Sequence, residues 1–204
     1  MKKIYLVRHG ETLFNLTKKR QGACDSPLTE TGIDQAKKAK EYFNKHEIVF
    51  DKAYCSTQER AEDTLNLITD LDYERLKELK EWNFGVYEGE PESLGAPDSD
   101  YFLTNLNFGD WWVKHGGEDV KEVRARMKSA LAKIAADEGE NAIVISHAGA
   151  IWSLITGIFP SEDLLEKNGI ERGIKNLATL EFEVLENGEL KFIHLFQPLL
   201  EEKQ

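Results

Sequence analysis

Apolar positions along the chain fall into two patterns. Residues 4–7 (Ile-Tyr-Leu-Val) and 142–146 (Ala-Ile-Val-Ile-Ser) are short unbroken runs, which read as buried strands. Residues 51–55, ending at Ser56-Thr57, and 73–79 read as further strands. Elsewhere the apolar residues recur at helical spacing. From Thr29 or Thr31 to about Lys45, Ile33, Ala36, Ala39 or Lys40, and Phe43 share a face, and either threonine is a suitable cap. A second helix is predicted from about Gln58 to Thr69. The clearest stripe is Val120, Val123, Met127, Leu131 and Ile134 within residues 118 to about 137, ended by Gly139. Residues 151–158 continue as an apolar helix and 160–167 as a short one. Asn187-Gly188, between residues 176–185 and 189–196, marks a β-hairpin.

Two stretches lack periodicity. Residues 15–25 are polar and read as a loop; residues 82–117, rich in Gly, Pro, Asp and aromatic side chains, read as a long excursion. Strands alternating with helices predict an α/β three-layer sandwich, with a mainly parallel central sheet flanked by helices and an antiparallel element near the C-terminus. Its 204 residues suit one domain, 1–204, carrying the excursion as an inserted cover.

Composition narrows the partners. A formal net charge of -11 disfavours nucleic acid and anionic membranes, so any phosphate site must be a local basic pocket. The first apolar run is too short for a signal peptide and no run approaches spanning length, which predicts a cytoplasmic protein. Cys24 and Cys55 have neither zinc-site nor redox-pair spacing and read as reduced thiols.

The candidate chemistry lies at strand ends. Two predicted strands run into a histidine and then a glycine: Arg8-His9-Gly10, and Ser146-His147-Ala148-Gly149. In open α/β sheets the carboxyl ends of strands face the ligand crevice. Arg60 falls in the first turn of the helix after the second strand, where backbone N–H groups also favour anions. A guanidinium matches phosphate oxygens, and its charge keeps a neighbouring imidazole neutral, as a nucleophile or base requires. With Glu81 from a loop, these residues describe a pocket for a dianionic tetrahedral group such as a phosphoryl group. The sequence has no Walker-type loop and no carboxylate cluster for two metals. Arginines are therefore expected to carry the electrostatic work, with no metal or cofactor, and a neutral imidazole to act as nucleophile through a phosphoramidate.

Arg8-His9-Gly10-Glu11-Thr12, with Asn15, Gln21-Gly22, Asp25, Pro27-Leu28-Thr29, Gly32 and Gln35-Ala36, resembles the opening of the histidine phosphatase superfamily, also called phosphoglycerate mutase-like. Ser56 through Arg60-Ala61 and Thr64 is similar to its second-arginine segment, Glu81 with Gly85 and Glu88-Gly89 to its acid segment, and Ser146-His147 to its second-histidine segment. The resemblance implies that His9 becomes phosphorylated, that Arg8 and Arg60 clamp the phosphoryl oxygens, and that His147 stabilises the group in transfer. Asn15, Gln21 and Gly22 would line the phosphate or substrate entrance. Glu81 would be the general acid and then the base that activates water. Neighbouring arginines hold any carboxyl ionised, whereas an acid must keep its proton, so burial or a second carboxylate, Glu11 or Glu88, is expected to compensate.

Two departures bear on the branch. Ala148 stands where the family more usually has glycine, which is harmless unless that position needs a positive φ. The mutase branch typically has a tyrosine three residues after the acid and basic residues beyond it. Here Phe84 holds that place, and residues 81–113 contain no Lys or Arg but include Glu81, Glu88, Glu90, Glu92, Asp98, Asp100 and Asp110. Such a cover repels a multiply charged sugar acid. The expectation is a metal-independent phosphomonoester hydrolase for a small metabolite whose alcohol part carries little negative charge. Alternatives are mutase-type phosphoryl transfer and a non-catalytic phospho-ligand-binding module.

Phe102, Leu103, Leu106, Phe108, Trp111 and Trp112 suggest a local core packing the excursion onto the domain, an apolar wall for the leaving group, or both. His46 and His194 read as structural or solvated. His115 reads as a helix cap or a substrate contact, and Glu118 as a stabiliser of the following helix N-terminus. Cys24, near the entrance loop, would need a lowered pKa to react.

Overall fold

A computed structural model of the chain describes residues 2–97, 101, 106–171 and 173–199. At its centre is a sheet of order β3-β2-β4-β1-β5-β6. β1 (Lys3–Arg8), β2 (Lys52–Ser56), β3 (Tyr73–Leu76) and β4 (Asn141–Ser146) pair in parallel, and β5 (Thr179–Val184) and β6 (Leu190–Phe196) complete it as antiparallel neighbours. The expected hairpin is present, with Gly188 at φ +81° in its turn.

Alternation within β1 divides the interior. Ile4 and Leu6 join a core with Val123, Met127, Leu131 and Ile134 of α4 (Val120–Ala136) and Ile151 and Ile155 of α5 (Ala148–Ile158). Tyr5 and Val7 join the opposite core, with Ala36, Ala39 and Phe43 of α2 (Glu30–Lys45) and Ala61, Leu65 and Ile68 of α3 (Glu59–Ile68). Successive strand residues point to opposite faces, so a strand buried on both sides must be apolar throughout. This is the three-layer arrangement the pattern predicts.

Local signals set most helix ends. Thr29, not Thr31, caps α2 by accepting from the Gly32 N–H, and Asp119 with Glu122 forms a capping box on α4. One element differs from expectation in the polar stretch: α1 (Leu13–Leu16) is a single turn made by a Thr12–Asn15 capping box, too short for periodicity to reveal. The third strand stops at Leu76 and passes into a 3₁₀ turn, Lys77–Leu79. A further short helix, α6 (Glu162–Lys167), follows α5.

The excursion is not a separate small core. Trp82, Phe84, Leu106 and Trp112 are buried in the same cluster as Leu6 and Ile151, so the cover packs as an extension of one main core. Phe102 and Leu103, with Asp98 and Asp100, lie outside the described residues. Among the described residues, no helix is long and apolar enough to cross a membrane.

Candidate active site

The β1/β4 register builds the floor of the site. Arg8 lies opposite Ser146, so the next residue of each chain segment is a histidine, and the His9 N–H donates to the Ser146 carbonyl at 3.0 Å. The two imidazole centroids are 5.2 Å apart. β2, the other neighbour of β4, leads through Gln58 into α3 and delivers Arg60 in its first turn. Arg60 Nε donates to His9 Nε2 at 3.3 Å. Thr64, one turn along α3, accepts from the Gly10 N–H and donates to the Arg60 carbonyl, which fixes the helix start against the β1 turn.

Hydrogen bonding sets the state of His9. Nδ1 is 2.7 Å from the Gly10 carbonyl, which can only accept, so Nδ1 carries the proton and Nε2 holds a lone pair. Burial, then the charges of Arg60 and Arg8, pushes the His9 pKa well below 6.5. His147 is wholly buried and shifts the same way, from burial first and then Arg60, while among the described residues neither of its ring nitrogens has a partner. Arg8 Nε also lacks one, and desolvation lowers the Arg8 pKa to about 10 despite the opposing charge of Glu81. Buried polar atoms are usually satisfied, so these three nitrogens, two on His147 and one on Arg8, mark a place for a hydrogen-bonding ligand.

Arg60 is oriented from behind. Its terminal nitrogens donate to Asp25 Oδ1 at 2.8 Å and to the carbonyls of Cys24 and Gly22. Gly22 sits at φ +59°, and a Cβ there would fall 2.3 Å from the Glu88 carboxylate. Glu88 accepts from the N–H groups of Ala23, Cys24 and Phe84 and so staples the entrance loop to the cover. Glu11 accepts from the Thr29 hydroxyl. Neither is therefore placed as the second carboxylate partnering Glu81.

Glu81 instead meets the start of α5. Its Oε1 accepts from the Ala150 and Trp82 N–H groups at 2.8 Å each, and its Oε2 from Gly149 at 3.0 Å. Its backbone N–H donates to Gln58 Oε1, whose amide nitrogen donates in turn to the Gly22 carbonyl. Arg126, paired with Glu118, donates to the Glu81 carbonyl at 3.0 Å. Ala148 begins α5 and is not among the residues of positive φ, so its methyl is tolerated.

A cavity of about 320 Å³ opens above this floor. Arg8, His9, Arg60 and Glu81 line it with Asn15, Gln21 and Gly22, while His147 stands beside His9. Every sequence-derived candidate is thus brought to one place. Phe84, Phe108, Trp152, Ile174 and Glu92 also line it, so the excursion contributes both packing and lining. Lys19 and Arg20 of the entrance loop also reach it, supplying cations from outside the acidic cover, a contribution the sequence reading had not assigned. Gln58, Asp25 as the Arg60 anchor, and Asn176, whose amide donates to the His9 carbonyl, were also unassigned. Of these, Asp25 lay within the opening motif and Gln58 within the second-arginine segment, while Asn176 carried no signal.

The remaining histidines sit apart from the cavity lining. His46 lies tilted against Tyr42, His194 stacks on Phe196, and His115 packs edge-on against Tyr87. Asp119 rather than Glu118 caps α4; Glu118 accepts from the Asn83 N–H and from Arg126. The Cys24 thiol is pushed up, by desolvation and then by Glu88, and is not activated.

Known proteins share this fold. The family model of the histidine phosphatase superfamily (branch 1) matches residues 4–188. A Hydrogenobacter thermophilus protein named "putative phosphoserine phosphatase 2" is 34% identical over 168 residues, spanning 78% of this chain and 80% of its own. A 2,3-bisphosphoglycerate-dependent phosphoglycerate mutase from Elusimicrobium minutum is 33% identical over 147 residues, 69% of this chain and 53% of its own. The crystal structure of a phosphoserine phosphatase from Entamoeba histolytica with 3-phosphoglyceric acid superimposes with a TM-score of 0.77 at 26% identity, covering 98% of this chain and 100% of that one.

Proposed function

The chain belongs to the histidine phosphatase superfamily, and from that premise we propose that it is a metal-independent phosphomonoester hydrolase acting on a small phosphorylated metabolite through a phosphohistidine. The observation that carries the reading is an unprotonated His9 Nε2 that meets Arg60 and shares one cavity with Arg8, with His147 beside it.

In the first half-reaction His9 Nε2 attacks phosphorus in line with the ester oxygen. The P–N bond forms as the P–O bond breaks, and Glu81 gives its proton to the departing alkoxide. Arg8, Arg60 and His147 hold the equatorial oxygens, where charge is spread in a loose transition state. Asn15, Gln21 and Gly22 line the approach. In the second half-reaction Glu81 takes a proton from water as its oxygen attacks phosphorus, the P–N bond breaks, and inorganic phosphate leaves. The proton on Nδ1 stays with the Gly10 carbonyl throughout, which keeps the nucleophilic nitrogen unprotonated in each cycle.

Hydrolysis rather than mutase transfer is supported by the wall. Phe84, Phe108, Trp152 and Ile174 offer no charge to a sugar-acid carboxylate, and Arg20 donates to the Glu92 and Leu94 carbonyls with its guanidinium over Trp112. Both cysteines are free thiols, in keeping with a cytoplasmic setting. The test is a quench experiment with a radiophosphate-labelled monoester. An acid-labile, alkali-stable label on the wild-type protein, lost in His9→Ala, is expected together with release of inorganic phosphate. Interconversion of phosphoglycerates that depends on a bisphosphorylated primer would replace this reading with the mutase one, and phosphate binding without turnover would replace it with a binding module.

A further inference from the structure

The proposed acid stands on irregular backbone. After the 3₁₀ turn Lys77–Leu79, residues 80–84 belong to no helix or strand, so no ladder holds their main-chain groups. Carbonyls withdrawn from water still need donors. Side chains supply them here. The Leu79 carbonyl accepts from Ser146 Oγ at 2.9 Å, and the carbonyls of Glu78, Lys80 and Glu81 all accept from Arg126.

Arg126 is itself aimed. It lies in the second turn of α4, flanked in sequence by the buried Val123 and Met127, and its Nε and Nη2 fork onto the two Glu118 carboxylate oxygens at 2.9 and 3.0 Å. Glu118 closes the far side of the acid. Its Oε2 accepts from the Asn83 N–H, its main-chain N–H donates to the Asn83 carbonyl, and its own carbonyl accepts from the Trp82 indole. The pair thus grips the chain on both sides of Glu81. Among the described residues, neither Arg126 nor Glu118 lines the cavity, so any effect on the reaction runs through Glu81.

Resting on the phosphatase reading above, in which Glu81 moves the proton in both half-reactions, we infer that Arg126, anchored by Glu118, is the positioning residue for that acid. Its fork fixes the backbone from which the Glu81 carboxylate reaches both the cavity and the first turn of α5. Lysine cannot replace it, because a single ammonium has no planar fork with which to span a carboxylate and several carbonyls at once. The reaction is sensitive to such a loss, since displacing a reacting group by about 1 Å costs on the order of a hundredfold in rate.

The experiment follows p-nitrophenyl phosphate and 2-hydroxyethyl phosphate with the wild type, Glu81→Gln, Arg126→Met, Arg126→Lys and Glu118→Gln. Nitrophenolate leaves without a proton, whereas hydrolysis of the phosphohistidine still needs Glu81 as base. A displaced acid should therefore leave kcat/KM for p-nitrophenyl phosphate within about threefold of the wild type, while its kcat falls about tenfold, with a burst of nitrophenolate and accumulated phosphohistidine. For the alkyl ester, kcat/KM itself should fall about tenfold to hundredfold. This pattern is expected most strongly in Glu81→Gln, then in both Arg126 variants, and least in Glu118→Gln. Arg126→Lys keeps the positive charge, so its loss reports geometry, and it carries the test with Glu118→Gln where Arg126→Met does not fold. A merely structural role would lower both parameters for both esters in parallel, without a burst. That parallel loss in Arg126→Lys and Glu118→Gln, or wild-type behaviour in both, overturns the inference, and the pattern in Glu81→Gln alone then spares the phosphatase reading. Glu81→Gln lacking the pattern overturns the inference together with the Glu81 role it rests on. No hydrolysis of either ester by the wild type removes the phosphatase reading and the inference with it.

Discussion

At the strand ends, His9, Arg60 and His147 are 2% exposed or less, and each follows directly from a parallel strand or the first turn of the next helix. The cover reaches the same cavity with Phe84, Phe108 and an exposed Glu92, carried on 3₁₀ turns and loops. On the proposed reading, the floor's cations and imidazoles meet the phosphoryl group that every monoester shares. On the same reading, the cover's apolar surface, with Glu92 beside it, meets the part that differs between substrates. Changes to the floor should therefore alter rate for all esters alike, and changes to the cover should alter the ranking of esters.

The largest effect is expected from His9→Ala, which removes the proposed nucleophile. Phosphate release should fall on the order of 10⁴-fold for every monoester assayed. A loss confined to some esters would break the division of labour. Next, Asp25→Ala frees Arg60 from its rear anchor, and kcat/KM should drop about tenfold to hundredfold irrespective of leaving group, the scale of losing an orienting partner. Gly149→Ala sharpens the comparison, because the new Cβ would lie 2.8 Å from Glu81 Oε1. Displacing the acid should slow alkyl phosphates about tenfold or more, while p-nitrophenyl phosphate, whose leaving group needs no proton, changes much less.

Acid pH probes the floor as a stability contribution. His9 and His147 are depressed well below 6.5 in the folded protein, so the unfolded chain binds more protons below that value. Stability should be fully present above about pH 6.5 and decline as pH falls, by about 1.4 kcal/mol per histidine per pH unit until the folded values are reached. Urea midpoints at pH 7.5 and 5.5 measure this, and replacing His147 by Gln should shrink the difference. The smallest effect is expected in the cover. Arg20→Met removes a guanidinium 4.6 Å from the Trp112 ring and should lower stability by about 1 to 2 kcal/mol, with a change in ester ranking but little change in inhibition by free phosphate.

Sequence pattern made the floor legible for a physical reason. β1 and β4 are buried on both faces, so their apolar runs are continuous, and the polar residues that end them, Arg8-His9 and Ser146-His147, stand out. The helical stripe of α4 was equally plain because its five residues are all buried. The cover was not readable in this way. Trp82 and Trp112 are fully buried, yet they reach the core from irregular backbone, where no period separates inside from outside. The short ladder joining residues 18–20 to 89–92 left no trace either, because main-chain bonds such as Arg20 N–H to the Glu90 carbonyl are nearly indifferent to side chains. That ladder carries Lys19, Arg20 and Glu92 to the cavity, which is why the entrance-loop cations went unassigned.

The first turn of α5 links two parts of the site that are far apart in the chain. His147 is the residue on which that helix begins, and the N–H groups of Gly149 and Ala150 grip the Glu81 carboxylate. Any tilt or slide of the helix must therefore carry the second imidazole and the proton donor in the same direction, like two jaws mounted on one arm. Trp82 also gives its N–H to the Glu81 carboxylate, so a lineage that remodels the cover for a bulkier alcohol keeps this spacing only if it leaves the chain at residue 82 in place.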